Sequence, residues 1–209
     1  MAISQERIRE IAEKTVGQSN NPVWHSYRKN RITASHFGEF TKAYDKYLNP
    51  KTRYESQITQ VKYKIIRNDK PPNVPAIEWG ITHESDARKQ YEESTGEKVT
   101  ETGIWLFQEG HLGASPDGLI LDRSNPKSVL GIIDIKCPFR MKDIQIASGE
   151  EWHQHLEYLD EAYRLKHSHN YYDQVQGEMF AISFSSVQVI LSSSASIQIK
   201  IGRAGIFRN

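Results

Sequence analysis

The sequence predicts a mixed α/β domain in which a central mixed sheet is flanked by helices. Helical periodicity marks the N-terminal part and returns near residue 170, while short apolar runs of strand length occupy most of the middle. Strand segments that are flanked by helices on both sides predict a mixed α/β domain. A chain of 209 residues has room for a proper core, so we expect a single domain over residues 1–209.

The N-terminal third predicts helices separated by turns. Residues 4–14 place Ile8 and Ile11 on one helix face. Pro22 suits the first turn of the next helix, and Thr33 or Ser35 is the expected cap of the helix that follows. The remaining helix of this third is basic and amphipathic and is predicted over residues 54–67.

Strands are predicted in the middle of the chain and at its end. A helix from Trp79 to Ser94 ends at Gly96, a typical C-terminal cap. The strand predictions cover residues 98–107, 118–121 and 130–135, the last two joined as a hairpin, and two strands within 186–201. The other helical predictions are an irregular stretch at 142–164 and a strong helix at 169–183, with Tyr172, Val175, Met179 and Ile182 on one face.

Composition indicates the kind of cellular compartment in which the protein is expected. A single cysteine, Cys137, excludes an internal disulfide and fits a reducing compartment. No apolar run approaches the roughly 20 residues of a membrane span, and the N-terminus lacks the apolar stretch of a secretory signal. We therefore expect an intracellular protein, nuclear if the source is a eukaryote.

Charge is distributed unevenly. Residues 1–70 hold 14 Lys and Arg against 7 Asp and Glu, whereas residues 71–209 hold 13 against 19. A basic first third suits phosphate groups, and an acidic remainder suits cations. The alternative is solvated surface charge without a partner.

The central candidate site lies in the segments "SPDG" and "GIIDIKCPF". Alternation puts Asp134 and Lys136 on one face of a strand, and the hairpin brings Asp117 beside Asp134. Two such carboxylates repel unless a cation lies between them, and Mg²⁺ takes oxygen ligands, including a main-chain carbonyl such as that of Ile135. The alternative is a cross-strand ion pair of Asp117 or Asp134 with Lys136.

A third acid, Glu84, shares a helix face with Ala87 and Tyr91. This face is expected to point inward, where an isolated charge is costly. The alternative for Glu84 is a first-turn acid favoured by the helix dipole.

At these residues the sequence resembles the YqaJ and lambda-exonuclease family of the PD-(D/E)XK nuclease superfamily. Five segments match in order over about residues 18–180: "WHSYRKNRITAS", "WGITHESDAR", "SPDG", "DIKCPF" and "YYDQVQ". Residues 184–209 depart from the family pattern and are interpreted as a divergent or truncated end.

The resemblance implies a restriction-endonuclease-like core and a Mg²⁺-dependent 5′-to-3′ exonuclease acting on linear double-stranded DNA, with Mn²⁺ as a substitute metal. It also implies a recombination or mobile-element role, a homo-oligomer and a single-strand annealing partner. The implied catalytic residues are Glu84, Asp117, Asp134, Lys136 and Gln174. The implied metal ligands are Asp117, Asp134 and Ile135, and the implied DNA-phosphate-binding residues are Arg28, Ser35 and Ser115.

Three other functions stay open at this stage. A structure-specific or site-specific endonuclease would share the same metal motifs. A catalytically weak DNA-binding remnant of a mobile element would bind without cutting, and a plain interaction module would leave the inward acids unexplained. Several other residues are given structural interpretations: surface histidines at His153, His155, His167 and His169, core anchors at Trp24 and Trp79, and a packed strand-end thiol at Cys137.

Overall fold

The computed structural model describes residues 2–51, 58–63, 74–144, 152–182, 186–192 and 197–203. By internal contacts the chain divides into two compact units. Unit 1 contains Met1–Lys70, Thr102–Ser115 and His167–Ser183, and unit 2 contains Pro71–Glu101, Pro116–Lys166 and Phe184–Asn209. The expected single domain over residues 1–209 stays a prediction.

The described elements confirm the mixed α/β class. The helices are α1 (Gln5–Lys14), α2 (Pro22–Arg28), α3 (Phe37–Leu48), α4 (58–63), α5 (Pro75–Thr95) and α6 (Asn170–Ile182). The strands are β1 (Ile32–Thr33), β2 (Val99–Thr100), β3 (Trp105–Leu106), β4 (Leu112–Ala114), β5 (Gly118–Leu121), β6 (Val129–Lys136), β7 (Ser186–Ser192) and β8 (Ile197–Arg203).

Unit 1 has a small sheet in the order β1-β4-β3, with β1 parallel and β3 antiparallel to β4. Thr15, the C-cap of α1, connects this helix to the segment before β3. Its hydroxyl donates to the Ile11 carbonyl at 2.6 Å and accepts from the Ile104 amide at 2.9 Å. Ile11 and Ile104 also form a buried apolar cluster with Leu106. Trp24 and Tyr27 of α2 pack against this cluster.

Unit 2 has a five-stranded sheet in the order β2-β5-β6-β7-β8. Strands β5 and β6 form the predicted antiparallel hairpin, and β6 pairs in parallel with β7. Ile133 and Ile135 of β6 lie in a buried cluster with Ala87 and Tyr91 of α5. Glycine ends α5 as predicted, because Gly96 adopts a φ of 70° that other residues rarely take.

Several sequence predictions of local structure are wrong. The cap predicted at Thr33 or Ser35 is absent, since neither side chain caps α3, which begins at Phe37 after a 3₁₀ turn. The strand predicted over 98–107 is two short strands, β2 and β3, which belong to different sheets.

The helix-prone stretch 142–164 has no α-helix among its described residues, which include a 3₁₀ turn at Trp152–His155. The predicted helix over 54–67 is confirmed at 58–63, and its other residues lie outside the described part. The two C-terminal strands are confirmed, whereas the serine-rich turn between them falls on residues 193–196, also outside the described part.

Candidate active site

The loop before β5 places Asp117 against the end of β6. The Asp117 amide donates to the Ile133 carbonyl at 3.0 Å, which extends the ladder of the hairpin by one residue. Its carboxylate oxygen Oδ2 accepts from the Ile135 amide at 2.6 Å. The backbone of β6 therefore fixes the Asp117 side chain next to the segment that carries Asp134.

Asp134 and Lys136 lie on one face of β6, as the alternation predicts. The Lys136 ammonium is 2.9 Å from both carboxylate oxygens of Asp134. The side chain of Asp134 is 2% exposed and that of Lys136 is 17% exposed. The ion pair considered as an alternative is thus present for Asp134, but it lies within one strand rather than across two.

Glu84 lies in the middle of α5, because this helix begins at Pro75 rather than at Trp79. The interpretation of Glu84 as a first-turn acid is therefore wrong. Its carboxylate accepts from Arg88 one turn later at 3.0 Å, and Arg88 is also paired with Glu101. The i, i+4 spacing of Glu84 and Arg88 in the sequence could have predicted this partner.

The electrostatics of unit 2 join these groups into one cluster, which we call the acidic cluster: Glu84, Asp117 and Asp134 with Lys136. Burial, the largest cause, and the neighbouring Asp134 carboxylate together raise the pKa of Asp117 to about 8, against the lowering effect of Lys136. Burial also raises the pKa of Glu84, against the lowering effect of Arg88. The charged forms of Asp117 and Glu84 are therefore disfavoured unless a cation lies close to them.

The acidic cluster fits a hard divalent cation by the chemistry of its donors, since all three acids offer oxygen. A cation would also offset the repulsion that raises the pKa of Asp117. Among the described residues, no three His, Cys, Asp or Glu side chains form a ready-made ligand group. Mg²⁺ commonly takes one or two carboxylates and completes its shell with water and substrate phosphate oxygens.

In unit 1, the three predicted phosphate-binding residues are connected through side-chain contacts. Arg28 Nη2 donates to Ser35 Oγ at 3.4 Å, and the Arg28 guanidinium lies over the Trp24 ring, 4.3 Å from its centroid. The Trp24 indole nitrogen donates to Ser115 Oγ at 2.9 Å. Burial lowers the pKa of Arg28 to about 10, which still leaves it a cation at neutral pH.

Gln174 lies on α6, in unit 1. Its side-chain nitrogen donates to Glu178 Oε1 at 2.9 Å. Glu178 is a buried acid that the sequence analysis did not identify, although the i, i+4 spacing would have predicted its contact with Gln174. The predicted face of α6 is confirmed for Val175 and Met179, which are buried.

The cysteine and the histidines that were given structural interpretations differ in their burial and contacts. Cys137 packs against the core of unit 2, and burial raises the pKa of its thiol to about 12, which disfavours a nucleophilic thiolate. His155 is exposed, as is His167, which stacks on Tyr172. His169 is half-buried, and nothing is described of the His153 side chain.

The two predicted tryptophan anchors differ in their contacts. Trp24 packs against the buried cluster of unit 1 and also makes the polar contacts given above. Trp79 is half-buried and stacks on His83, with ring centroids 3.6 Å apart. No helix in the described part of the chain is both long and apolar enough to cross a membrane.

Comparison with solved structures places this architecture in the restriction-endonuclease-like nuclease fold. An alkaline exonuclease from Laribacter hongkongensis is 22% identical with a TM-score of 0.59, covering 87% of this chain and 81% of that one. The same exonuclease in complex with dAMP gives the same identity and TM-score, with 82% of that chain covered. A phage-related exonuclease from Haemophilus somnus is 12% identical, with a TM-score of 0.53 and 87% of each chain covered.

The family follows from the sequence itself. Residues 23–183 match the YqaJ-like viral recombinase domain, and the chain belongs to that family. A comparison with curated protein sequences found no match. The family resemblance predicted from the five motifs is thereby confirmed.

Proposed function

We propose that this protein is a Mg²⁺-dependent deoxyribonuclease that degrades linear double-stranded DNA from its 5′ ends. The observation that carries the proposal is the β5–β6 hairpin, which holds Asp117 by the Ile135 amide and Asp134 by Lys136. Membership of a recombinase family and a fold shared with two exonucleases support DNA as the substrate.

The acidic cluster suits phosphodiester hydrolysis because this reaction needs charge neutralisation at the phosphate and a deprotonated water. Asp117 and Asp134 are the proposed metal ligands, with the Ile135 carbonyl as a further oxygen donor. Bound Mg²⁺ supplies Lewis-acid stabilisation of the phosphate oxygens and lowers the pKa of a water molecule. Mn²⁺, which also accepts oxygen ligands, is the proposed substitute.

The side chains of the protein have separate roles in this proposal. Lys136 presents an ammonium beside Asp134, where it orients the attacking water and offsets the charge of the phosphate. Glu84 contributes a third carboxylate that is held in place by Arg88. Gln174, whose side chain donates to Glu178, is included among the proposed catalytic residues on the family resemblance alone.

Unit 1 supplies the proposed DNA-phosphate contacts. Arg28 presents a guanidinium suited to bidentate phosphate binding, and Ser35 and Ser115 present hydroxyl groups. The excess of basic residues in the first 70 positions adds salt-sensitive DNA affinity. A recombination or mobile-element role, a homo-oligomer and a single-strand annealing partner belong to the same proposal and rest on the family alone.

A cleavage assay with two DNA forms tests the proposal. Linear duplex with 5′ phosphates and covalently closed circular DNA are incubated with the protein in Mg²⁺ or in EDTA, beside Lys136→Ala. We expect Mg²⁺-dependent loss of the linear form alone, with the variant at least a hundredfold slower, since removing one preorganised group that stabilises developing charge typically costs about 10²–10³-fold in rate.

The other outcomes separate the remaining functions. Nicking of closed circles would overturn the exonuclease assignment in favour of an endonuclease. Binding with a steep salt dependence but without cleavage, by protein whose circular dichroism shows it folded, would point to a DNA-binding remnant. Cleavage that persists at the wild-type rate in EDTA would overturn the metal dependence.

A further inference from the structure

We infer that Trp24 is the positioning residue of the proposed phosphate site, holding Arg28 with its ring face and Ser115 with its indole N–H. The inference rests on the proposed function, because positioning these two side chains matters only if DNA phosphates bind there. From the sequence alone, Trp24 is expected to be a core anchor. The structure shows that its ring has apolar and polar contacts at once.

The first contact follows from helix geometry. Trp24 and Arg28 are four residues apart on α2, so their side chains share a face of the helix. The guanidinium carbon is 4.3 Å from the ring centroid, well within the range of a cation–π interaction. Arg28 is half-buried, so this cation is partly withdrawn from water, and this burial lowers its pKa to about 10. In such surroundings a ring face holds a cation more strongly than at an exposed site.

The second contact makes Ser115 Oγ a hydrogen-bond acceptor and leaves its hydroxyl hydrogen available for another partner. An indole nitrogen can only donate, so Ser115 Oγ is the acceptor of the 2.9 Å bond from Trp24. A serine hydroxyl has one hydrogen to give, and this bond does not use it. Ser115 is therefore set up as a donor toward an acceptor, and phosphate oxygens only accept.

The ring is itself held in place. Trp24 packs against the buried cluster of Ile11, Ile104 and Leu106. Its edge also meets the neighbouring His25 ring in a T-shaped contact, with centroids 5.0 Å apart. A fixed ring can preorganise two separate side chains, which lowers the entropy lost when they bind an anion.

The test is a double-mutant cycle read out as DNA affinity. Binding of fluorescein-labelled, 5′-phosphorylated duplex is followed by anisotropy in EDTA for wild type, Trp24→Phe, Ser115→Ala and the double variant. Trp24→Phe keeps a ring beneath Arg28 but removes the indole N–H. We expect about three- to tenfold weaker binding in each single variant, the usual range for one hydrogen bond. The double variant should bind no more weakly than Ser115→Ala, because Trp24 acts through Ser115.

A second pair of variants tests the ring face. Trp24→Leu removes both contacts and should bind DNA more weakly than Trp24→Phe. In an Arg28→Ala background, Trp24→Leu and Trp24→Phe should bind DNA equally well, since the cation is gone. Tyr27→Phe is the matched control, because Tyr27 packs against the same cluster from the same helix. It should leave DNA affinity unchanged.

A purely structural Trp24 would give different results. Its substitution would lower the melting temperature, while its effect on affinity would be absent or would add fully to that of Ser115→Ala; either result would overturn the inference. If folded wild-type protein bound no DNA at all, the proposed function would fail first. The two failures are therefore distinguished by the wild-type measurement.

Discussion

Lys136 Nζ lies 2.9 Å from both carboxylate oxygens of Asp134, two residues earlier on the same face of β6. Asp134 is 1% exposed as a residue, and its strand neighbours Ile133 and Ile135 belong to the core. A buried carboxylate in such surroundings is stable only with a close positive or hydrogen-bonding partner. The sheet of unit 2 thus contains a charged pair where an apolar pair would pack more simply.

The first prediction concerns the stability of this pair. Lys136→Met removes the ammonium and leaves the Asp134 carboxylate buried without this partner, so the free energy of unfolding should fall by about 1–3 kcal/mol. Asp134→Asn combined with Lys136→Met removes both charges and should recover part of that loss. Urea unfolding followed by circular dichroism measures both values. Equal losses in the two variants would contradict a charge-paired Asp134.

A second prediction compares two glycines. A Cβ at Gly103 would lie 2.5 Å from the Ala12 carbonyl oxygen, where α1 approaches the chain closely. Gly103→Ala should therefore cost about 1–3 kcal/mol. Gly80, inside α5, has nothing within 4 Å of the same position, so Gly80→Ala should stabilise the protein by about 0.5–1 kcal/mol. The two melting temperatures should move in opposite directions, and a shared direction would contradict the close approach at Gly103.

The third prediction is a pH dependence in the β5–β6 turn. Asp122 Oδ1 accepts from the Ser124 hydroxyl at 2.6 Å and from the Ser124 amide at 2.8 Å, and these bonds lower the pKa of Asp122 from its ordinary 3.8. The stabilising effect is complete above pH 3.8 and is lost as the pH falls through the lower, folded value. Asp122→Ala should thus be less stable than wild type at neutral pH, and the difference should shrink in acid. A difference independent of pH would count against the Ser124 bonds.

The fourth prediction concerns the cysteine. Since burial raises the pKa of the Cys137 thiol to about 12, iodoacetamide should label it far more slowly in folded protein than in urea-unfolded protein. Cys137→Ala should retain nuclease activity, because no step of the proposed reaction uses the thiol. Loss of activity in a folded Cys137→Ala protein would require a role for this residue.

Local patterns predicted the hairpin and its acids well. The alternation of β6 and the turn residues before it depend on neighbouring positions, so they can be read from sequence. The strand expected at 98–107 failed because Gly103 bonds to Ala12 and Ile104 bonds to Thr15. Partners so distant in sequence leave no trace in a local pattern.

Only part of the candidate site could be predicted from the sequence. Strand alternation and the hairpin predicted that Asp117, Asp134 and Lys136 lie close together, and the structure brings them together in unit 2. The contact between Trp24 and Ser115 joins residues 91 positions apart, so no periodicity could indicate it. The mid-helix position of Glu84 was missed because α5 begins at Pro75, one turn before the predicted start at Trp79.

The proposed metal site is tested most directly by comparing two aspartates of one hairpin. Asp117→Asn keeps the size of the side chain and an oxygen to accept from the Ile135 amide, so the protein should stay folded. Asp122→Asn, at the turn, is the matched control. Both variants and wild type are assayed for Mg²⁺-dependent degradation of linear duplex DNA. We expect Asp117→Asn to lose the activity and Asp122→Asn to keep it. Wild-type rates in both variants would contradict the proposed metal site.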